Sequence, residues 1–265
     1  MKKILLERRH LEIAYEDRGS GEPLLLLHAF PFDREMWLPQ LRTLSETHRV
    51  VAPDFPGFGE SGEPTEGFTV VALADIAADF LDAIGITGLV TVCGLSMGGY
   101  VALSLARRQP QRLRGLILAD TQAEPDDEAT KIKRAEMIEL AREKGAAGVF
   151  ERLRPRLFGE KANPETIESL KKIALRQSEP SVVLAIQALR ERSDATPGLE
   201  LIAVPTLVIV GEHDAITPPE AARKMADHIS RATLAIIPNA GHLSNSEQPE
   251  AFNTAVLAYM AKLKK

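Results

Sequence analysis

Short, almost wholly apolar runs recur along this chain, each closed by turn residues and most separated from the next by a helical pattern. Residues 24–27 are four consecutive leucines, 89–93 and 115–119 are comparable runs, and 206–210 and 232–237 repeat the theme further on. A run without polar alternation is what a strand needs when both of its faces are covered. Residues 11–17 alternate instead, with Leu11, Ile13 and Tyr15 apolar, and 49–53 form a further candidate strand. Between these runs, Thr69 can cap a helix carrying Leu73, Ala77, Phe80 and Ile84 at helical spacing, with Gly85 just after it, and residues 97–108 read as another helix. Strands that alternate with helices are joined by crossovers, so the sheet is mostly parallel and the fold class is α/β.

The rhythm breaks after the fifth of these strands. From Pro125 to Pro197 no strand pattern occurs and four helical patterns follow one another. Residues 126–144 end at Gly145, and 146–158 end at Gly159. Asn163-Pro164 is a cap with proline at the first helical position, opening a helix with Ile167, Leu170 and Ile173 on one face. Residues 180–191 put Val182, Ile186 and Leu189 on one stripe. After this stretch the β pattern returns, and Phe252, Val256 and Tyr259 mark a last helix. The expectation is a core built from residues 1–124 and 198–265, with an all-helical insertion at 125–197. A segment of about 70 residues is too long for an ordinary loop and suits a cap or lid.

Composition removes several classes. The lone cysteine, Cys93, excludes an internal disulfide framework and suits a reducing compartment. No apolar run approaches the roughly 18 residues of a membrane span, and the N-terminal stretch becomes charged again at Glu7, before a secretory core can form. A cytoplasmic location is expected. The net charge of −5, with both signs interspersed, argues against nucleic acid and membrane partners. No histidine or cysteine cluster has ligand spacing, so neither metal nor cofactor is expected.

The residues that can carry chemistry sit just past strand ends. Gly94-Leu95-Ser96-Met97-Gly98 follows the strand pattern ending at Cys93 and precedes a helical pattern, the strand–turn–helix setting of a nucleophile elbow. A serine hydroxyl needs a base, and the base needs a group to orient it. Of the six histidines, His10, His48 and His228 lie in or beside regular elements, and His213 reads as structural. His242 lies in a turn directly after the last strand, where an open parallel sheet presents its site. Asp214 occupies the equivalent place after the strand at 207–210, and the order Ser96, Asp214, His242 is nucleophile, acid, base. Two rivals for the acid remain: Asp120, past the strand at 116–119 but suited to bonding the start of the insertion, and Glu212, nearer its strand end.

These residues resemble the α/β-hydrolase superfamily over essentially the whole chain. His28-Ala29-Phe30-Pro31 resembles its oxyanion loop and 54–61 its D-x-x-G-x-G-x-S turn, while 94–99, 211–214 and 240–242 carry the three catalytic positions. The resemblance implies an α/β-hydrolase fold with an inserted helical cap, and an oxyanion hole made by the backbone N–H groups of Phe30 and Met97. Alanine at position 29, where the family usually has glycine, implies a loop that avoids positive φ. Serine at the elbow implies an acyl-enzyme, unlike the aspartate of haloalkane dehalogenases, and the loop lacks the H-G-G-P-G of proline iminopeptidases. Small esterases, enol-lactone hydrolases and cofactor-free perhydrolases are the most similar groups; Pro31 reads first as a rigid turn without effect on the chemistry, and is also similar to the arrangement in members with perhydrolysis activity.

The expected function is therefore serine carboxylesterase, acting on a small-molecule ester, with activity rising near pH 6–7 as His242 loses its proton. Enol-lactone hydrolase or perhydrolase on the same triad is the alternative, and a hydrolase-like receptor for a small ligand is the reading from another class. An acidic lactone would call for a cation beneath the insertion, with Arg107, Arg108, Arg152, Arg154 and Arg156 as candidates. Leu153, Leu157, Phe158, Val183 and Ile186 are the candidates for an apolar pocket wall.

Overall fold

The computed structural model, which describes residues 1–64 and 67–263, brings the apolar runs side by side in one eight-stranded sheet. The strands are β1 (Lys2–Leu6), β2 (Leu11–Arg18), β3 (Pro23–Leu27), β4 (Arg49–Pro53), β5 (Val90–Leu95), β6 (Leu113–Ala119), β7 (Thr206–Gly211) and β8 (Ala232–Ile237). Their order in the sheet is β1-β2-β4-β3-β5-β6-β7-β8. β2 pairs antiparallel with β1 and β4, and every pairing from β4 through β3 to β8 is parallel. This mostly parallel α/β sheet is the one expected, with the addition of β1. Only Leu6 of β1 is buried, so that edge strand carries no alternating apolar signal.

Nine α-helices are present among the described residues: α1 (Leu38–Leu44), α2 (Val70–Ala83), α3 (Met97–Arg108), α4 (Glu128–Leu157), α5 (Pro164–Leu175), α6 (Glu179–Glu191), α7 (Pro219–His228), α8 (Ser244–Glu247) and α9 (Pro249–Leu263). Successive strand residues point to opposite faces of the sheet. Leu25, Leu27, Val92, Leu116, Leu118 and Val208 accordingly enter one buried cluster with α2 and α3. Their neighbours Leu24, Leu26, Cys93, Ile117, Leu207 and Ile209 enter a second cluster with α1 and α9. Both faces are covered, which is why the central strands carry no polar alternation. Cys93 is fully buried in the second cluster and packs as a small apolar side chain.

The helices of the insertion start where local chemistry can satisfy their first N–H groups. Asp127 accepts from Thr130 N at 2.7 Å, Asn163 from Glu165 N at 2.8 Å and Ser178 from Ser181 N at 3.3 Å. Pro164 and Pro180 occupy the first helical turns, where a missing N–H costs nothing. α4 is broken at Gly145, whose φ of +61° and ψ of −163° are not helical, so the two expected helices are one element with a kink.

Parallel strands end together, so the loops after β3, β5, β6, β7 and β8 gather on one edge of the sheet. On the opposite side of the core, the Tyr259 hydroxyl of α9 accepts from Leu116 N at 3.0 Å and donates to Pro205 O at 2.7 Å. Gly115 makes room for that hydroxyl, because a Cβ there would lie 2.3 Å from it. Gly115→Ala is expected to destabilise by about 1–3 kcal/mol through overpacking. Its cost should shrink in a Tyr259→Phe background, and urea unfolding of the two single variants and the double variant checks this non-additivity.

Candidate active site

Ser96 stands at the junction of β5 and α3 with φ +53° and ψ −111°, a backbone conformation that non-glycine residues rarely adopt. Its surroundings force the turn. A Cβ on Gly94 would lie 2.1 Å from Gly98 O, and one on Gly98 would lie 2.1 Å from Leu27 O, so α3 can sit against β5 and β3 only without side chains there. Ser96 N donates to Ala119 O at 3.0 Å, and Thr121 Oγ1 donates to Ser96 O at 2.9 Å. The hydroxyl emerges partly exposed at the positive end of α3.

His242 and Asp214 meet Ser96 from the β8 and β7 loops. His242 Nε2 lies 2.9 Å from Ser96 Oγ, and His242 Nδ1 lies 2.8 Å from Asp214 Oδ2. Asp214 also accepts from Ile216 N at 2.8 Å, Thr217 N at 2.9 Å and Thr217 Oγ1 at 2.8 Å. With its carboxylate taking the Nδ1 proton, the neutral imidazole keeps Nε2 as an acceptor facing the serine hydroxyl. Burial works to lower the His242 pKa, but the charge and hydrogen bond of Asp214 outweigh it and hold the imidazole above its ordinary value. Burial likewise works to raise Asp214, and the charge and hydrogen bond of His242, with the Thr217 donors, hold that carboxylate below its ordinary range.

The rival acids make other contacts. Asp120 is fully buried, with φ +43°. It does not bond the start of the insertion, the role that its place in the chain suggests. Instead Oδ1 accepts from Gly211 N at 2.8 Å, and Oδ2 accepts from Ser244 N at 3.2 Å and lies 2.6 Å from Ser244 Oγ. Asp120 thereby ties the loop that carries Asp214 to the loop that carries His242. Burial and the Asp214 charge push it up to about 8, so it holds a proton near neutrality while Asp214 stays ionised. Glu212 accepts from Asn239 N at 3.0 Å on the exposed surface, with exposed His213 beside it. His10 and His228 are also exposed, and His48 is buried beside Thr47.

The loop after β3 runs from His28 to Asp33. His28 donates from Nδ1 to Ala29 O at 3.0 Å and accepts from Phe55 N at Nε2 at 2.9 Å, and burial lowers its pKa to about 4. It is a neutral spacer joining this loop to the turn at 54–62. Ala29 is not among the residues with positive φ, in line with alanine in place of glycine. Among the described residues, neither Phe30 N–H nor Met97 N–H is taken by a protein acceptor, and Met97 is the first residue of α3, whose N–H has no helical partner. A serine, an imidazole, a carboxylate and free N–H donors at the head of a helix are the parts that acyl transfer requires.

The family model of the α/β hydrolase fold matches residues 22–249. The chain belongs to the α/β-hydrolase fold family. A thermophilic esterase from Thermogutta terrifontis, solved with malate bound, is 40% identical, with a TM-score of 0.95 over 100% of this chain and 99% of its own. The enol-lactonase from Burkholderia xenovorans LB400 has a TM-score of 0.90 at 26% identity, covering 98% of this chain and 100% of its own. In sequence, 3-oxoadipate enol-lactonase 2 of Acinetobacter baylyi is 30% identical over 98% of this chain and 97% of its own.

In this α/β hydrolase the insertion reaches the loops of the site directly. Leu157 O accepts from His242 N at 2.9 Å, and Arg156 Nη2 donates to Ala215 O, next to Asp214, at 2.5 Å. Gly159 N and Gly241 N both donate to Glu247, at 2.8 and 3.0 Å. Of the five candidate cations, Arg156 alone has a charge that bears on His242. Arg108 pairs with Asp75, while Arg152 and Arg154 face solvent near Glu136 and Glu151. Arg107 lines a cavity of about 330 Å³ with Tyr100 and Arg192, and Ser96 is not in its wall. Val183 and Ile186 pack in the core cluster that includes Phe30 and Met97, whereas Leu157 belongs to the other cluster, against which Phe158 packs and with which Leu153 also makes contact. No helix among the described residues is long and apolar enough to cross a membrane.

Because Asp214 is the group that outweighs burial at His242, Asp214→Asn should lower the imidazole pKa. Proton NMR of the His242 ring is expected to show titration above the ordinary imidazole value of 6.5 in the native chain and at a lower pH in the variant.

Proposed function

We propose that this α/β hydrolase is a serine carboxylesterase that cleaves small carboxylic esters through an acyl-enzyme. The observation that carries the reading is the continuous line of contacts from Ser96 Oγ to His242 Nε2 at 2.9 Å and from His242 Nδ1 to Asp214 Oδ2 at 2.8 Å. Ser96 Oγ bonds to the acyl carbon while its proton passes to His242 Nε2. The carbonyl oxygen becomes an oxyanion between Phe30 N–H and Met97 N–H, each donor supplying about 3–4 kcal/mol of transition-state stabilisation. The carbon–alkoxy bond then breaks, and the alcohol leaves with the proton from His242. Water attacks the acyl-enzyme, giving its proton to His242, and the acid departs as that proton returns to Ser96 Oγ. Asp214 keeps the ring in the reactive tautomer and stabilises the imidazolium. Residues 125–197 serve in this reading as a cap that shapes the acyl and alcohol pockets over Ser96.

A second reading, enol-lactone hydrolysis on the same three residues, is favoured by the enol-lactonases among the similar proteins. In a lactone the alkoxy group stays tethered to the acyl chain, so the same steps open a ring. Arg156, beside the Asp214 loop, is the cation that would meet a carboxylate on such a substrate. Comparing kcat/KM for neutral p-nitrophenyl esters and for a carboxylate-bearing enol-lactone separates the two readings.

Ser96→Ala is expected to reduce turnover of p-nitrophenyl acetate by about 10⁴-fold or more with an unchanged unfolding midpoint. Retention of most of the turnover would refute the mechanism. The base must be neutral, and its pKa is raised, so kcat/KM should climb with pH through a limb above 6.5 rather than at the ordinary imidazole value. Asp214→Asn should move that limb to lower pH while cutting kcat by about 10³–10⁴-fold, which a pH–rate profile of both proteins checks.

A further inference from the structure

Phe30 lies in a short turn closed by Phe32 N donating to Ala29 O at 2.9 Å, and the direction of its N–H depends on how the two ends of the loop hold that turn. One end is His28, fixed through both ring nitrogens within the core. The other end is Asp33, three residues beyond Phe30, whose side chain has no solvent exposure. Its Oδ1 accepts from Glu35 N at 3.0 Å and Arg176 Nη2 at 2.7 Å, and its Oδ2 accepts from Arg176 Nε and Gln177 Nε2, both at 2.8 Å. Three of these four donors come from Arg176 and Gln177, at the corner between α5 and α6 of the insertion. A buried carboxylate without such donors is strongly disfavoured, so Asp33 keeps its place only while that corner is docked.

Gln177 does more than hold Asp33. Its amide nitrogen also donates to Ile173 O at 2.8 Å, and its amide oxygen accepts from Gly59 N at 2.9 Å. Gly59 belongs to the turn that accommodates Asp54, and Asp54 in turn accepts from Arg34 N at 2.8 Å and forms an ion pair with the Arg34 guanidinium. One buried amide thus joins the insertion, the loop at 28–33 and the turn at 54–62.

We propose that Arg176 and Gln177 are positioning residues for the oxyanion donor, so that the insertion sets the aim of the Phe30 N–H by gripping Asp33. The proposal rests on the reading of Phe30 N–H as a donor to the oxyanion. A displaced donor loses stabilisation of the transition state while leaving ground-state binding of the ester almost unchanged. The effect belongs in kcat, and in the affinity for any ligand that places an oxygen in the hole.

The experiment uses the full chain with Gln177→Met, which keeps volume and removes both polar ends, and Arg176→Gln at a half-exposed position, where an amide donor is retained and kcat is referred to folded protein. Each is assayed with p-nitrophenyl acetate and with phenylboronic acid, whose adduct on Ser96 carries an oxygen in the place of the oxyanion. Gln177→Met is expected to lower kcat by about 10- to 100-fold, with KM within about threefold and the boronate Ki weakened by a factor similar to the loss in kcat. Arg176→Gln should move both quantities in the same direction by about three- to tenfold. The proposal is overturned if kcat and the boronate Ki per folded molecule stay within about twofold in both variants while the unfolding midpoint falls, or if KM rises with kcat unchanged, because the corner then only anchors the insertion. A native enzyme that binds no boronate refutes the oxyanion reading itself, whereas a native adduct that both variants bind equally well refutes only the clasp.

Discussion

The backbone at Ser96 is the constraint around which the rest of this molecule is arranged. A serine at φ +53° costs of order 1–3 kcal/mol relative to ordinary backbone, and it persists only because its neighbours leave no alternative. Gly94 and Gly98 let α3 lie on β5 and β3 at backbone contact, Gly99 makes room for Thr121, and Ser96 N and O are each bonded to the end of β6 or the loop after it. These contacts exist because β3, β5 and β6 are adjacent and parallel, so their ends reach the same edge. The sheet order and the tight turn are thus one fact stated at two scales. With Ser96 held by the backbone, its hydroxyl needs only one further contact, from His242, to be placed.

Two buried carboxyls lie close to a single imidazole, and their unequal surroundings assign them different tasks. Asp214 receives two backbone N–H groups, the Thr217 hydroxyl and the imidazole proton, enough to keep it ionised despite burial. Asp120 receives fewer donors in a fully buried place and also feels the Asp214 charge, so its proton is retained. Two ionised carboxylates at this spacing would repel; one ionised and one protonated do not. Asp120 therefore holds the β7 and β8 loops together through hydrogen bonds, while Asp214 makes the direct contact with the imidazole.

Ser96, Asp214 and His242 are legible in the chain for a local reason: each lies just past an apolar run that can only be a buried strand. Gly145 was likewise legible as a helix break, since a positive φ inside a helical pattern calls for glycine. β1 was not, because an antiparallel edge strand with one buried residue lacks the pattern that burial imposes. The partners of Asp120 are not legible for a different reason. Gly211 and Ser244 are 91 and 124 positions away, and proximity in sequence pointed to the insertion instead. The grip of Arg176 and Gln177 on Asp33, 143 and 144 positions apart, has no local signature either. What is legible is set by burial and backbone sterics over a few residues; what is not is side-chain pairing across the fold.

The same distinction bears on what an insertion of this kind can do. A cover that moved as one rigid body would have to break every polar contact it makes with the loops beneath it. Here those contacts include Leu157 O to His242 N, Arg156 to Ala215 O and the three donors to Asp33, all from the stretch after the Gly145 kink. The stretch before the kink is tethered at its start, where Asp126 takes Arg134 at 3.0 Å and buried Arg192 at 2.5 Å, with Arg192 stacked 4.3 Å over the Tyr100 ring. Gly145 itself is in open surroundings, with nothing within 4 Å of where a Cβ would be. The stretch before the kink is also held further along, where Ile138 and Ala141 are buried in the cluster that contains Phe30 and Met97. The stretch from Ala146 through α6 is thus bonded to the loops that carry Asp33, Asp214 and His242 rather than lying loosely over them.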